Sequence, residues 1–263
     1  MSAPAPAPPA TPTARALPHP FVAVVGYTLR ACLPPRRWVG VLLPCAAAVL
    51  FGWLVTVSDH GSVAERFADI AEVGLFGLVL PLTCLVIGDA VLGADIRAGT
   101  FPFTWLSPVR FLAIVVGRWL GGWLVALVSL VPTLLAATAI AGVPEGMAPM
   151  AIAVASGSAA YIALFVMLGA AVRRAAVWSL AVVFLGEHLL GGVLSSVAQI
   201  SPLWEAQQVY AGLADEAAGA SELLRAGTPN GWSAVVRLAI ILVVALAVAA
   251  WRVRHVKPRS GDE

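Results

Sequence analysis

Three polar features could do chemistry in a chain that is otherwise strongly apolar. The stretch Ala-Ser-Gly-Ser-Ala-Ala (155–160) offers the hydroxyls of Ser156 and Ser158, and His188 follows further along. A serine with a histidine base is the pairing that makes an activated nucleophile, so this combination points to an intramembrane serine hydrolase. Small residues in an apolar segment also have a plainer use: they let helices approach closely, which explains both serines without any reaction. The second feature is Glu187, directly before His188 and midway along an apolar run. An acid there costs about 2.5–3.5 kcal/mol on insertion scales and usually faces a bundle interior or a watery cavity. It reads either as part of a polar translocation surface or as the place where the run breaks, which Gly186, Gly191 and Gly192 would permit. The third is residues 94–110, where Asp95, Arg97 and Arg110, a Gly-Thr pair and two prolines are mixed with Phe101, Phe103, Trp105 and Leu106. No GxxxxGK[ST] loop, HExxH or CxxC occurs, so the chain has neither a nucleotide site of that kind nor a metal motif.

Positioning these residues is a task for membrane helices. Hydrophobic residues are 60% of the chain and charged ones 11%, against about 25% charge in soluble domains. Mean hydropathy is +0.91. A span needs about 20 apolar residues to cross a hydrocarbon core of about 30 Å, and six candidates lie near 38–57, 71–93, 111–141, 149–172, 175–198 and 233–251. The expected fold is therefore an all-α, six-helix polytopic bundle over 21–251. The third candidate is too long for one straight span, and Pro132 predicts a kink with an interfacial extension. Residues 1–20, rich in Pro and Ala without an apolar run, read as a disordered cytoplasmic tail. Residues 21–33 are too short to span and stop at Pro34-Pro35, which predicts an N-terminal helix lying on the membrane surface. Segment 199–232 sets Leu203, Trp204 and Tyr210 against Glu205, Gln207 and Gln208, predicting a short helix or two at the outer interface.

Orientation follows from the basic residues, because Lys/Arg-rich short loops stay in the cytoplasm. Arg30, Arg36 and Arg37, then Arg97 and Arg110, then Arg173 and Arg174, then Arg252, Arg254, Lys257 and Arg259 all fall on one side of a six-span chain. The acids Asp59, Glu65, Asp69, Glu72, Glu145, Glu205, Asp215, Glu216 and Glu222 fall on the other. Both termini are thus expected in the cytoplasm, with 252–263 a basic tail. The net charge of +2 marks topology rather than a nucleic-acid partner. Cys32, Cys45 and Cys84 sit in or beside apolar segments at no metal spacing and read as packing residues.

The punctuation of 94–110 predicts a rigid knuckle. Span 2 should continue past Gly93 and stop at Gly99, a residue suited to a left-handed C-cap. Thr100 can cap a new short helix that tolerates Pro102 in its first turn and places Phe101 and Trp105 on one face. Ser107 and Pro108 then open span 3. An exposed apolar face on such a knuckle marks a docking site.

The run Asp95, Gly99-Thr100, Leu106, Pro108-Val109-Arg110 and Gly117-Arg118 resembles the junction between transmembrane helices 2 and 3 of ABC-2 type transporter permeases. There an acid, a Gly-Thr, a leucine-rich segment, Pro-Val-Ser-Arg and Gly-Lys follow one another. The surface helix, six spans and longer outer segment before span 6 are similar too. The resemblance implies that 94–110 is a cytoplasmic coupling helix seated on a separate ABC ATPase subunit. Asp95, Arg97, Phe101 and Trp105 would make the contacts, and Gly99 and Thr100 would set the geometry. It further implies a permease dimer in the plasma membrane that exports its substrate by alternating access, surrounded by lipid, with Glu187 and His188 at the translocation pathway. No cofactor is bound directly and no reaction is catalysed by this chain; ATP sits on the partner. Asp95 in place of the usual glutamate, Arg97 in place of an acid, and Phe-Pro-Phe-Thr-Trp in place of Leu/Glu-rich sequence point to a specialised partner. The alternatives are a membrane assembly or binding subunit that transports nothing, and the hydrolase.

The charge pattern generates a direct topology test. A cysteine near Gly61 or Gly219 should react with an impermeant thiol reagent added to intact cells, and Ser260→Cys should not; labelling of Ser260→Cys would overturn the six-span arrangement.

Overall fold

The computed structural model describes residues 20–32, 35–59, 61–93, 110–172, 175–181, 183, 201–224 and 229–255. Among them the chain is helical without a strand, as backbone groups in hydrocarbon require when they must be satisfied within one segment. Five helices among the described residues are long and apolar enough to cross a membrane. The fifth expected span, 175–198, lies mostly outside the described residues; its first part, α6 (Ala175–Ala181), packs on the neighbouring span.

The prolines place the first boundary where the sequence predicts it. Helix α1 (Pro20–Cys32) ends before Pro34, and α2 (Pro35–Val57) starts on a proline, whose missing N–H costs nothing in a first turn. The second span, α3 (63–93), begins at Val63 and not at 71. A capping box explains the difference: Ser62 Oγ accepts from the Glu65 N–H at 3.2 Å while the Glu65 carboxylate accepts from the Ser62 N–H at 2.9 Å. Glu65, Asp69 and Glu72 consequently ride on the helix rather than in a loop. Within α3 the winding changes, with wide π turns over Ala71–Val79 and Asp89–Gly93 on either side of an α segment, Leu80–Gly88. The first wide stretch directly precedes Pro81, whose ring would collide with the preceding turn of a tighter helix.

Helix α4 (Phe111–Ile140) stays unbroken through Pro132 and is about 45 Å long. One residue past the carbonyl that Pro132 leaves unbonded, Ser129 O accepts from the Thr133 hydroxyl at 2.6 Å and from the Cys45 thiol at 3.7 Å. Helix α5 (Met147–Ala171) is the centre of the bundle and packs against α3, α4, α7 (Pro202–Leu213) and α9 (Trp232–His255). Two stacked indoles zip α4 to α5: Trp119 and Trp123, with ring centroids 5.5 Å apart, donate Nε1–H to Ala159 O and Ala155 O at 3.0 Å each. Helix α9 continues beyond 251 to His255, so that Arg252 and Arg254 lie in its last turn and complement the negative end of the helix.

Helix α7 departs from expectation most. It is a short helix, as predicted, but its polar side is packed against the bundle rather than wet. Pro202, Leu203 and all positions from Glu205 to Ala211 are buried. Its C-terminal end meets the start of α9 so closely that a Cβ at Gly212 would stand 2.6 Å from Gly231 Cα, and Gly231 itself has a φ of +55°. The following turn, with Gly219 at a φ of +74° leading into α8 (Ala220–Leu223), rests on Ala64 of α3, so an accessible cysteine in this segment is better placed at exposed Glu222.

The tightest contact between spans yields a stability test. A methyl on Gly52 of α2 would stand 2.7 Å from Ala137 Cα of α4, with backbone and not a flexible side chain in the way. Gly52→Ala should cost about 1–3 kcal/mol, typical of overpacking, and lower the thermal unfolding midpoint in detergent. Gly26→Ala meets nothing within 4 Å and gains helix propensity, so it should unfold at or slightly above the parent temperature.

Candidate functional site

The residues singled out from sequence, Asp95, Arg97, Gly99, Thr100, Phe101 and Trp105 at the junction and Glu187 and His188 in the fifth apolar run, lie outside the described residues. What the structure describes is the frame that holds the junction. The end of α3 at Gly93 and the N-cap of α4 at Arg110 bracket it. Arg118, one turn further into α4 than Ile114 and 4% exposed, donates from Nη1 to Val91 O at 2.8 Å. Carbonyls in a last helical turn lack intrahelical donors, and a cation suits that end of the helix. The same guanidinium lies 5.4 Å from the ring centroid of Tyr27 on α1, within cation–π range. Alongside, Gly117 lets Phe21 and Val24 of α1 rest on α4. One arginine thus ties α1, α3 and α4 together where the chain leaves for the junction and returns from it. Its signal in the sequence is a charged residue inside an apolar span.

A second polar cluster surrounds α7 at the opposite end of α3. Tyr210, fully buried, donates its hydroxyl to Ala218 O at 2.9 Å and sits between Phe67 and Phe76 of α3 at centroid distances of 6.1 and 6.0 Å. Gln207 Nε2 donates to Glu72 O in the wide turns of α3 at 3.2 Å, and Gln208 Nε2 to Leu223 O at 2.9 Å. Glu205 accepts from Arg237 Nη1 of α9 at 3.3 Å; the acid is 4% exposed and the arginine 36%. The other carboxylate oxygen of Glu205 and the hydroxyl of Thr83 on α3 are buried without a hydrogen-bond partner. The sequence sets Glu205, Gln207 and Gln208 as the polar side of an interfacial helix, whereas Arg237, inside the last apolar run, carries no partner in its own segment. Its signal was available, since an arginine one turn and a half inside an apolar run needs a partner or a route to the surface.

The serine-hydrolase geometry is not assembled among the described residues. Ser156 donates to Ile152 O at 2.7 Å and Ser158 to Ala155 O at 3.1 Å, so both hydroxyls bond to their own helix, as packing residues do. The described histidine, His255, contacts Trp251 at the far end of α9. No group of three or more metal-ligating side chains occurs among the described residues.

The Glu205–Arg237 pair can be tested as a unit. Arg237→Gln leaves a buried carboxylate without its cation and should cost about 3 kcal/mol, the low end for breaking a buried pair because the guanidinium is partly exposed. The double variant Glu205→Gln/Arg237→Gln should recover most of that loss in thermal unfolding measurements. A double variant as unstable as Arg237→Gln would show that the pair does not hold α7.

Compared with known proteins, the chain matches no family model and no curated protein.

Proposed function

We propose that the chain is the transmembrane permease subunit of an ABC exporter of the ABC-2 type, working as a dimer in the plasma membrane with both termini in the cytoplasm. ATP is hydrolysed on a separate subunit, and this chain supplies the pathway. In this reading 94–110 is the coupling helix, and Asp95, Arg97, Phe101 and Trp105 contact the ATPase while Gly99 and Thr100 aim the knuckle. The fifth apolar run completes six spans and carries Glu187 and His188 to the pathway.

The observation that carries the reading is the Arg118 clamp. A coupling element is useful only if displacement at its surface reaches the spans, and a floppy attachment would dissipate it. The hydrogen bond from Arg118 to Val91 O and the stacking of the guanidinium on Tyr27 make both roots of the junction and α1 one body. Closure of two ATPase subunits would then tilt α3 and α4 together, and the indole zip would pass that motion to α5.

Two junction variants separate docking from transmission. Trp105→Ala removes an aromatic anchor of a kind that can be worth more than about 2 kcal/mol at an interface, so co-purification with the partner ATPase subunit should fall. Gly99→Val would penalise the left-handed C-cap that the sequence predicts there; the ATPase should still co-purify but hydrolyse ATP without moving substrate in proteoliposomes. Parental co-purification, hydrolysis and transport in both variants would reduce 94–110 to an interfacial loop and favour an assembly or binding subunit that transports nothing.

A further inference from the structure

A trough of about 420 Å³ lies between α5 and α9, walled by Leu164 and Met167 on one side and by Ile240, Ile241 and Val244 on the other. Pro202 of α7 joins the wall, and Arg237 is the charged residue lining it among those described.

Its depth in the membrane can be read along α9. Trp232 and Trp251 are 65% and 56% exposed and stand about 28 Å apart by helical rise, the thickness of a hydrocarbon core with one indole at each interface. On that scale Arg237 is about 7.5 Å inside the first interface, within snorkelling reach of the headgroups. The trough residues Ile240 to Val244 continue from about 12 to about 18 Å, at acyl-chain depth. A cation within reach of the headgroups, above an apolar trough that descends along a helix, complements an amphiphile with an anionic head. The guanidinium is free for it in part: one Nη1 hydrogen bond goes to Glu205, and a planar fork of five donors suits a phosphate.

We propose that this trough binds one acyl chain of an anionic phospholipid, whose phosphate is held by Arg237 in competition with Glu205. A zwitterionic headgroup brings its own cation beside the arginine and is bound less well. The site is independent of the transport reading and stands or falls on lipid binding alone.

The test uses the full chain in phosphatidylcholine vesicles doped with phosphatidylglycerol or phosphatidylcholine probes carrying a photoreactive group on one acyl chain, with labelled peptides mapped. The phosphatidylglycerol probe should label the peptides holding Leu164–Met167 and Ile240–Val244 about fivefold more than the phosphatidylcholine probe, as one arginine near an anionic headgroup warrants. Val244→Trp, at an exposed position that fills the trough, should abolish labelling by both probes. Glu205→Gln keeps Arg237 and removes the negative charge that competes with a phosphate for it, so the preference should rise, whereas a merely structural pair would let it fall. In Glu205→Gln/Arg237→Gln, which has no buried charge to misfold around, the preference should vanish. Equal labelling by the two probes in the parent, label spread evenly over all lipid-facing helices, or a reduced preference in Glu205→Gln would overturn the proposal.

Discussion

A helix of 12 residues cannot cross a hydrocarbon core that takes about 20, so α7 can occupy the bundle only if its neighbours answer its ends and its polar side chains. Much of the architecture around it follows from that demand. Arg237 enters an apolar span because Glu205 needs a cation. The wide turns of α3 offer Glu72 O to Gln207, and the turn after α7 returns to receive the hydroxyl of Tyr210 and the amide of Gln208. Gly212 and Gly231 remove the side chains that would keep α7 from the start of α9. The accounting is nearly complete: one Glu205 oxygen and the Thr83 hydroxyl are the buried side-chain atoms left over among the described residues.

The two polar clusters stand at opposite ends of α3, and the stiff middle of the bundle lies between them. Trp119 and Trp123 place four rings' worth of indole against α5 at carbonyls that already serve its own helix, while α5 touches both α7 and α9. The junction end and the α7 end are thus joined along α3 itself and through the packed contacts of α5, rather than by a chain of charges.

What could be read in the sequence and what could not divides along a physical line. Apolar runs long enough to span, the Pro34-Pro35 break and the shortness of α1 are local properties, and the helices follow them. The early start of α3 was also locally encoded, in Ser62 and Glu65, but hydropathy does not weigh a capping box. The burial of α7 was not legible, because Glu205, Gln207 and Gln208 look like a wet face until their partners on α3, α9 and the following turn are in place. Arg118 was legible as a motif residue and not as a clamp, since Val91 and Tyr27 come to it from other helices. Residue type announces that a polar group must be satisfied; only the fold says by whom.

The wide turns of α3 have a geometric effect that a sequence period conceals. At 3.6 residues per turn, Phe67 and Phe76 would point about 180° apart, on opposite sides of the rod, yet both rings pack on Tyr210. Turns closed by i→i+5 bonds rotate less per residue, and the lag over the stretch from Ala71 closes part of that angle, so that the two rings flank Tyr210 from either side. Helix α3 is in this sense a phase shifter: the azimuth it presents at one end is not the continuation of the azimuth at the other, and a helical wheel drawn at 3.6 residues per turn through its whole length goes out of register beyond the first wide stretch.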